Sequence, residues 1–192
     1  MKNWVQWFLA SIEIREGATT VRRAPTVVPT GFLLVRDAYK AFVAENRLKG
    51  PLRRALGATA ASAWSSAQAR QRILDGQFPV EVARQVLDAY HELSSASCGS
   101  GAERALVTVR AAGADDEEVL LEVRGDEELL DAIRRCWAAQ LHPRAIARRR
   151  AQGLTDADCS IGIQRVSRSE AGREAGVAPR TRGRGQLLRL AA

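Results

Sequence analysis

At 192 residues, 46% hydrophobic and 27% charged, the chain has the length and make-up of one globular domain, with or without a tail. No apolar run reaches the roughly 18 residues that cross a bilayer, so no membrane-spanning helix is expected. The net charge of +7 sits at one end: residues 144–192 hold eleven arginines against four acids, and residues 1–143 sum to zero.

In chain order, the apolar patch Trp4, Val5, Trp7, Phe8, Leu9 within Met1–Ala10 runs on towards Glu13 and Glu16 without a small-residue cleavage site. A first strand or helix is expected there rather than a signal peptide. Two prolines make Ala24–Pro29 extended, Gly31 permits a turn, and Phe32–Val35 is a short buried strand. Asp37 is placed to cap a helix whose stripe is Ala38, Tyr39, Phe42 and Val43 and which fades near Asn46. Gly50–Gly57, with Pro51 and two glycines, reads as a loop. Residues 58–75 form an alanine-rich helix with Trp64, Ile73 and Leu74 towards the core, closed by Gly76.

Pro79 opens the next helix, with the stripe Val82, Val86, Leu87, Tyr90 and Leu93. Ser94–Gly101 is a loop. Ala105–Val109 is a central strand ending at Arg110, Ala111–Glu118 a polar loop, and Val119–Val123 a second strand stopped by Gly125. Asp126, Glu127 and Glu128 suit the positive start of a helix carrying Leu130, Ile133, Trp137 and Leu141. Pro143 breaks it and starts a helix from Arg144 to Ala151, and Cys159–Val166 is a third strand. After Ser167 the periodicity is lost. Residues 1–166 are therefore expected to fold and 167–192 to form a mobile basic tail. Mixed helix and strand give an α+β or α/β class.

Chemistry-bearing patterns are few. Cys98, Cys136 and Cys159 are far apart, and with only His91 and His142 they build no zinc spacing. This sparse usage fits a reducing cytoplasm and buried, idle thiols. Neither histidine has a partner acid or nucleophile in view, so both are read as structural or solvated. The acids of Asp115–Glu118 are adjacent on a loop and read as solvated, since a metal cage needs ligands converging from several segments. There is no P-loop, G-x-S-x-G, H-E-x-x-H or dinucleotide fingerprint. Arg110 at a strand end can fork onto phosphate oxygens; by position alone it could equally pair with the acids at 115–118.

Six blocks, in order over residues 28–166, resemble the nucleotide domain of phosphoenolpyruvate synthases and pyruvate, phosphate dikinases. Pro29-Thr30-Gly31-Phe32 with Ala38-Tyr39 and Phe42 is similar to "V-P-x-G-F … A-(Y/F)-x-x-F". Pro79 through Ala89-Tyr90-His91-Glu92-Leu93 resembles "P … I-x-x-A-Y-x-x-L". Val109-Arg110-Ala111-Ala112 resembles "V-R-S-S", and Glu118 with Leu121, Val123, Arg124 and Gly125 resembles "E-T-x-L-N-V-R-G". The most specific block runs from Leu129 through Cys136-Trp137-Ala138 to Arg144-Ala145-Ile146 and Arg148. Ile163-Gln164-Arg165-Val166 resembles "V-Q-R-M-V".

The resemblance implies an ATP-grasp-like fold and an ATP- and Mg2+-binding, phosphotransferase-type (kinase) domain of the cytoplasm. Rifamycin phosphotransferases share the domain, so ATP is implied before any acceptor. Arg110, Arg15, Glu118 and Gln164 are the implied nucleotide contacts; no catalytic residue and no protein metal ligand is assigned. The departures are large. The family's "G-G-K-N-A-S-L" loop is replaced by Ile12-Glu13-Ile14-Arg15-Glu16-Gly17-Ala18, leaving Arg15 as a substitute for the lysine without the glycine cradle. Ala111 and Ala112 stand where the family has serines. The half that carries the magnesium carboxylates follows the "V-Q-R-M-V" strand in the family and has no counterpart here. The expectation is a domain that is incomplete and inactive alone, with a companion chain or self-association through an exposed apolar face. The alternatives are a non-catalytic interaction module and, last, nucleic-acid binding by the arginine-rich tail, which lacks aromatics for base stacking.

Overall fold

The computed structural model describes residues 2–12, 26–57, 63–96, 104–111, 121–151 and 159–166. The expected loop at 97–101, the acidic run 115–118, Cys98 and the basic stretch 167–192 lie outside these residues. The described residues form a mixed α/β fold of five strands and six helices. The strands are β1 (Val5–Ile12), β2 (Thr26–Leu34), β3 (Val107–Ala111), β4 (Leu121–Val123) and β5 (Ile161–Arg165). They make one sheet in the order β1-β2-β5-β3-β4, with every pairing antiparallel.

The helices are α1 (Arg36–Glu45), α2 (Lys49–Gly57), α3 (Ala63–Leu74), α4 (Val80–Ser95), α5 (Asp126–Ala139) and α6 (Pro143–Ala151). Helices α4 and α5 lie against one sheet face, α4 over β1 and β2 and α5 over β3 and β4. Helix α3 packs on α5, and α2 on α3. The strands alternate accordingly: Val5, Phe32, Leu34, Val107, Val109, Ile161 and Ile163 are buried beneath the helices. No helix among the described residues is long and apolar enough to cross a membrane.

Trp137 of α5 is the hub of this layer. It is fully buried, with the rings of Phe42, Tyr39 and Phe78 at centroid distances of 5.0, 5.3 and 5.5 Å. Its indole N–H donates to the Cys159 carbonyl at 2.9 Å, which ties α5 to the segment leading into β5. Burial raises the Tyr39 phenol well above its ordinary value. Gly76 packs on the same cluster, where a Cβ would meet the Phe42 ring. The Asn46 side chain closes this corner, donating to the Phe42 and Gln77 carbonyls at 2.9 and 2.8 Å and accepting from the Gln77 N–H at 2.9 Å.

Four expectations need correction. Gly50–Gly57 is not a loop but helix α2, because Pro51 sits in its first turn, where a missing N–H costs nothing, and Leu52 and Ala55 supply a buried stripe. Trp64 does not face the core: it is 72% exposed, and α3 buries Ser66, Ala69 and Ile73 instead, with Leu74 packed at the margin. Gly31 makes no turn. It lies inside β2 opposite Gln164, where a Cβ would stand 2.3 Å from the Ile163 carbonyl oxygen; glycine lets β2 and β5 approach. Asp37 is not the cap of α1, which starts from Val35. Asp37 stands in the first turn bonded to Lys40 at 2.7 Å, and that partner holds its carboxyl below the ordinary value.

Smaller shifts follow the same logic. On α5 the stripe begins at buried Leu129, with Leu130 at its edge, and on α4 Ser94 is still helical, donating to the Tyr90 carbonyl. Gly125 precedes α5 at φ 128°, and a Cβ there would collide with the Glu128 carboxylate.

Candidate functional site

The sheet face turned away from the helices collects the polar residues of the strands. The register lays them in two rows. One runs Phe8, Gly31, Gln164, Thr108, Glu122, and the other Gln6, Leu33, Gly162, Arg110. Arg110 is the penultimate residue of β3, exposed, while its neighbours Val109 and Ala111 point into the core. Gln164 is the fourth residue of β5, exposed, between buried Ile163 and half-buried Arg165. Arg110 stands opposite Gly162, so Gln164 is its diagonal neighbour, roughly 7–8 Å away along the pleat.

Of the four residues marked in the sequence, the structure thus brings Arg110 and Gln164 to one face. Arg15 and Glu118 fall outside the described residues.

Residues that the motifs did not mark complete the face. The Thr108 hydroxyl donates to the Gln164 carbonyl at 3.3 Å, across from exposed Glu122. Phe8 is 43% exposed next to Gly31. Their signal was available: strict alternation about Val107, Val109 and Ile163 places 108, 110, 122 and 164 on the side opposite the core. The face offers a guanidinium, a carboxamide, a hydroxyl and one carboxylate, with Phe8 and Leu33 beside them. Such a set can hold an anionic, hydrogen-bonding ligand flat against a sheet. Among the described residues it includes no thiol or imidazole.

The remaining reactive groups have structural work. His91 Nε2 lies 2.9 Å from Asp126 Oδ2, a partner acid that the sequence did not reveal, and Arg104 Nε lies 3.2 Å from Asp126 Oδ1. Arg104 Nη2 donates to Asp126 Oδ2 at 3.5 Å, and buried Oδ1 is left without a hydrogen bond. The adjacent Tyr90 hydroxyl donates to the Ala105 carbonyl at 2.7 Å and accepts the Gly125 N–H at 3.0 Å. Together these contacts join the end of α4 to the start of α5. Cys136 and Cys159 are buried, as expected of idle thiols, and burial pushes the Cys136 thiol up to about 12.

Residues 13–182 match the family described as pyruvate phosphate dikinase, AMP/ATP-binding domain. The chain belongs to that family. The chain is also similar to longer proteins. It is 30% identical over 162 residues to phosphoenolpyruvate synthase of Pseudomonas aeruginosa, covering 76% of this chain and 20% of that protein. It is 30% identical over 172 residues to a probable phosphoenolpyruvate synthase of Staphylothermus marinus, covering 81% and 20%. For the Escherichia coli phosphoenolpyruvate synthase the figures are 30% over 155 residues, 74% and 20%. The chain therefore spans about a fifth of the length of the curated relatives it matches.

Proposed function

We propose that this chain is an ATP-binding module of the phosphoenolpyruvate synthase type, one part of an ATP-grasp-like clamp. On this reading it holds the nucleotide against the exposed sheet face and does not complete phosphoryl transfer alone. The observation that carries the reading is the convergence of Arg110 and Gln164, on adjacent strands and one exposed face, in a chain of the AMP/ATP-binding family. The Arg110 fork suits phosphate oxygens, which in water-poor surroundings need fixed cations. The Gln164 carboxamide can donate and accept, as a sugar hydroxyl or base edge requires.

Magnesium fits less well. Glu122 is the one carboxylate of this face among the described residues, and no group of three His, Cys, Asp or Glu side chains gathers there. A Mg2+ ion would ride on the triphosphate and take its protein ligands elsewhere. Cations for the transferred group, an acceptor and the closing half of the clamp would likewise come from further chain or a companion.

An interaction module built on this scaffold is the second reading. The exposed face supports it less, because Phe8 and Leu33, diagonal neighbours on β1 and β2, make only a small apolar patch that gives way to Gln164, Arg110 and Glu122 on the next three strands. Calorimetric titration with Mg-ATP tests the choice. Arg110→Ala is expected to weaken binding about tenfold or more, the range for losing a charge-assisted hydrogen bond. Identical heats in wild type and variant would overturn the assignment. An absence of heat in both, with self-association in light scattering, would favour the interaction module.

A further inference from the structure

A hollow of about 430 Å3 lies behind the helical layer, between α3, α5 and the start of α6. Its floor is apolar and low: Leu74, Ala138 and Ala139. Two consecutive alanines leave space that longer side chains would occupy. Its rim is cationic, with Arg70 from α3, Arg135 from α5 and Arg144 from α6. No carboxylate lines it. Asp131 holds Arg135 at 2.6 Å, whereas Arg70 and Arg144 have no acid partner among the described residues. Another hollow, beneath β1, sets Asp88 and Glu92 against Lys2 and Arg84 and is balanced in sign.

Two further features raise the positive potential. Helix α6 starts at Pro143, between the lining residues His142 and Arg144, so its positive end borders the hollow. The Arg144 backbone N–H donates to His142 Nδ1 at 3.3 Å, so in neutral imidazole the proton sits on Nε2, a free donor. Guanidiniums from three elements around one space repel each other, and an anion between them relieves that repulsion. The volume lies in the range of small-molecule pockets and far exceeds a bare phosphate, while the floor offers contact to a carbon body.

We propose that this hollow binds a small phosphomonoester with a compact apolar or aromatic body, separately from the exposed sheet face. Arg70, Arg144 and His142 take the phosphate, and the body rests on Leu74, Ala138 and Ala139. Phenyl phosphate and inorganic phosphate, titrated calorimetrically into the whole chain at low salt, form the test. Phenyl phosphate is expected to bind at one site at least tenfold more tightly than inorganic phosphate. The double variant Arg70→Ala, Arg144→Ala should lose at least tenfold, and Ala139→Leu should block phenyl phosphate by filling the floor. Arg110→Ala should leave its affinity within twofold, whatever becomes of ATP binding. Arg144 is exposed and Arg70 half-buried, and far-UV circular dichroism verifies the fold of the double variant. Equal affinity in wild type and double variant, no binding to wild type, or loss in Arg110→Ala would each overturn the proposal.

Discussion

Val109 and Arg110 are consecutive on β3, yet one is sealed under α5 and the other stands on the exposed face. On the helix side, positions across the sheet are apolar and interlocked, centred on Trp137 and its three ring neighbours. On the exposed side the same strands present a guanidinium, a carboxamide and a carboxylate to solvent, with the Thr108 hydroxyl half-buried among them. The difference teaches where stability and binding are encoded. The helix side specifies the fold and tolerates little change, and the exposed side can change its chemistry without unfolding the chain.

Substitutions break or sharpen that contrast, and the largest effect belongs to the hub. Trp137→Ala is expected to cost about 3–5 kcal/mol in urea unfolding, from the cavity left by the indole. Gly31→Val, where the two faces meet through the backbone, should cost about 1–3 kcal/mol by forcing β2 from β5. Faster amide exchange at Ile163 and Gln164 would localise that damage. Tyr90→Phe should cost about 1–2 kcal/mol in the same assay, because the Gly125 N–H and Ala105 carbonyl both lose a partner.

Alkaline pH probes the buried thiol. The folded value of Cys136 is raised from 9.0 to about 12, so the stability from keeping it neutral is complete below pH 9 and is lost as pH climbs towards 12. Between pH 9 and 10 its share is at most about 1.4 kcal/mol, and Cys136→Ala should remove that part of the slope. Smallest of all, Arg110→Ala and Gln164→Ala should each leave unfolding within about 0.5 kcal/mol of wild type while lowering ATP affinity. A large loss of stability in either would erase the distinction between the faces.

The sequence exposed these two sides unevenly. Helices α4 and α5 and the strands β3 and β5 were legible because their apolar residues keep periods of 3.6 and 2 over full elements. Helix α2 was hidden by Gly50 and Pro51, residues that usually break structure but sit here within a first turn. Trp64 misled by size, since on so alanine-rich a helix the small residues Ser66 and Ala69 set the buried stripe. Gly31 suggested a turn because its real constraint, a neighbouring strand's carbonyl, is distant in sequence. Arg110 and Gln164 were visible through motif and alternation together. Thr108 and Glu122 carried only the alternation, and the Asp126 partner of His91 needed the packing of α4 on α5 to appear.

Strand β5 comes last among the five in the chain and sits in the middle of the sheet. Until Ile161–Arg165 has left the ribosome, β1-β2 and β3-β4 can exist only as two separate ribbons, each with an unsatisfied rim. Arg110 and Gln164 become neighbours only when that final strand closes the gap. Juxtaposition of those two side chains and completion of the sheet are then a single event.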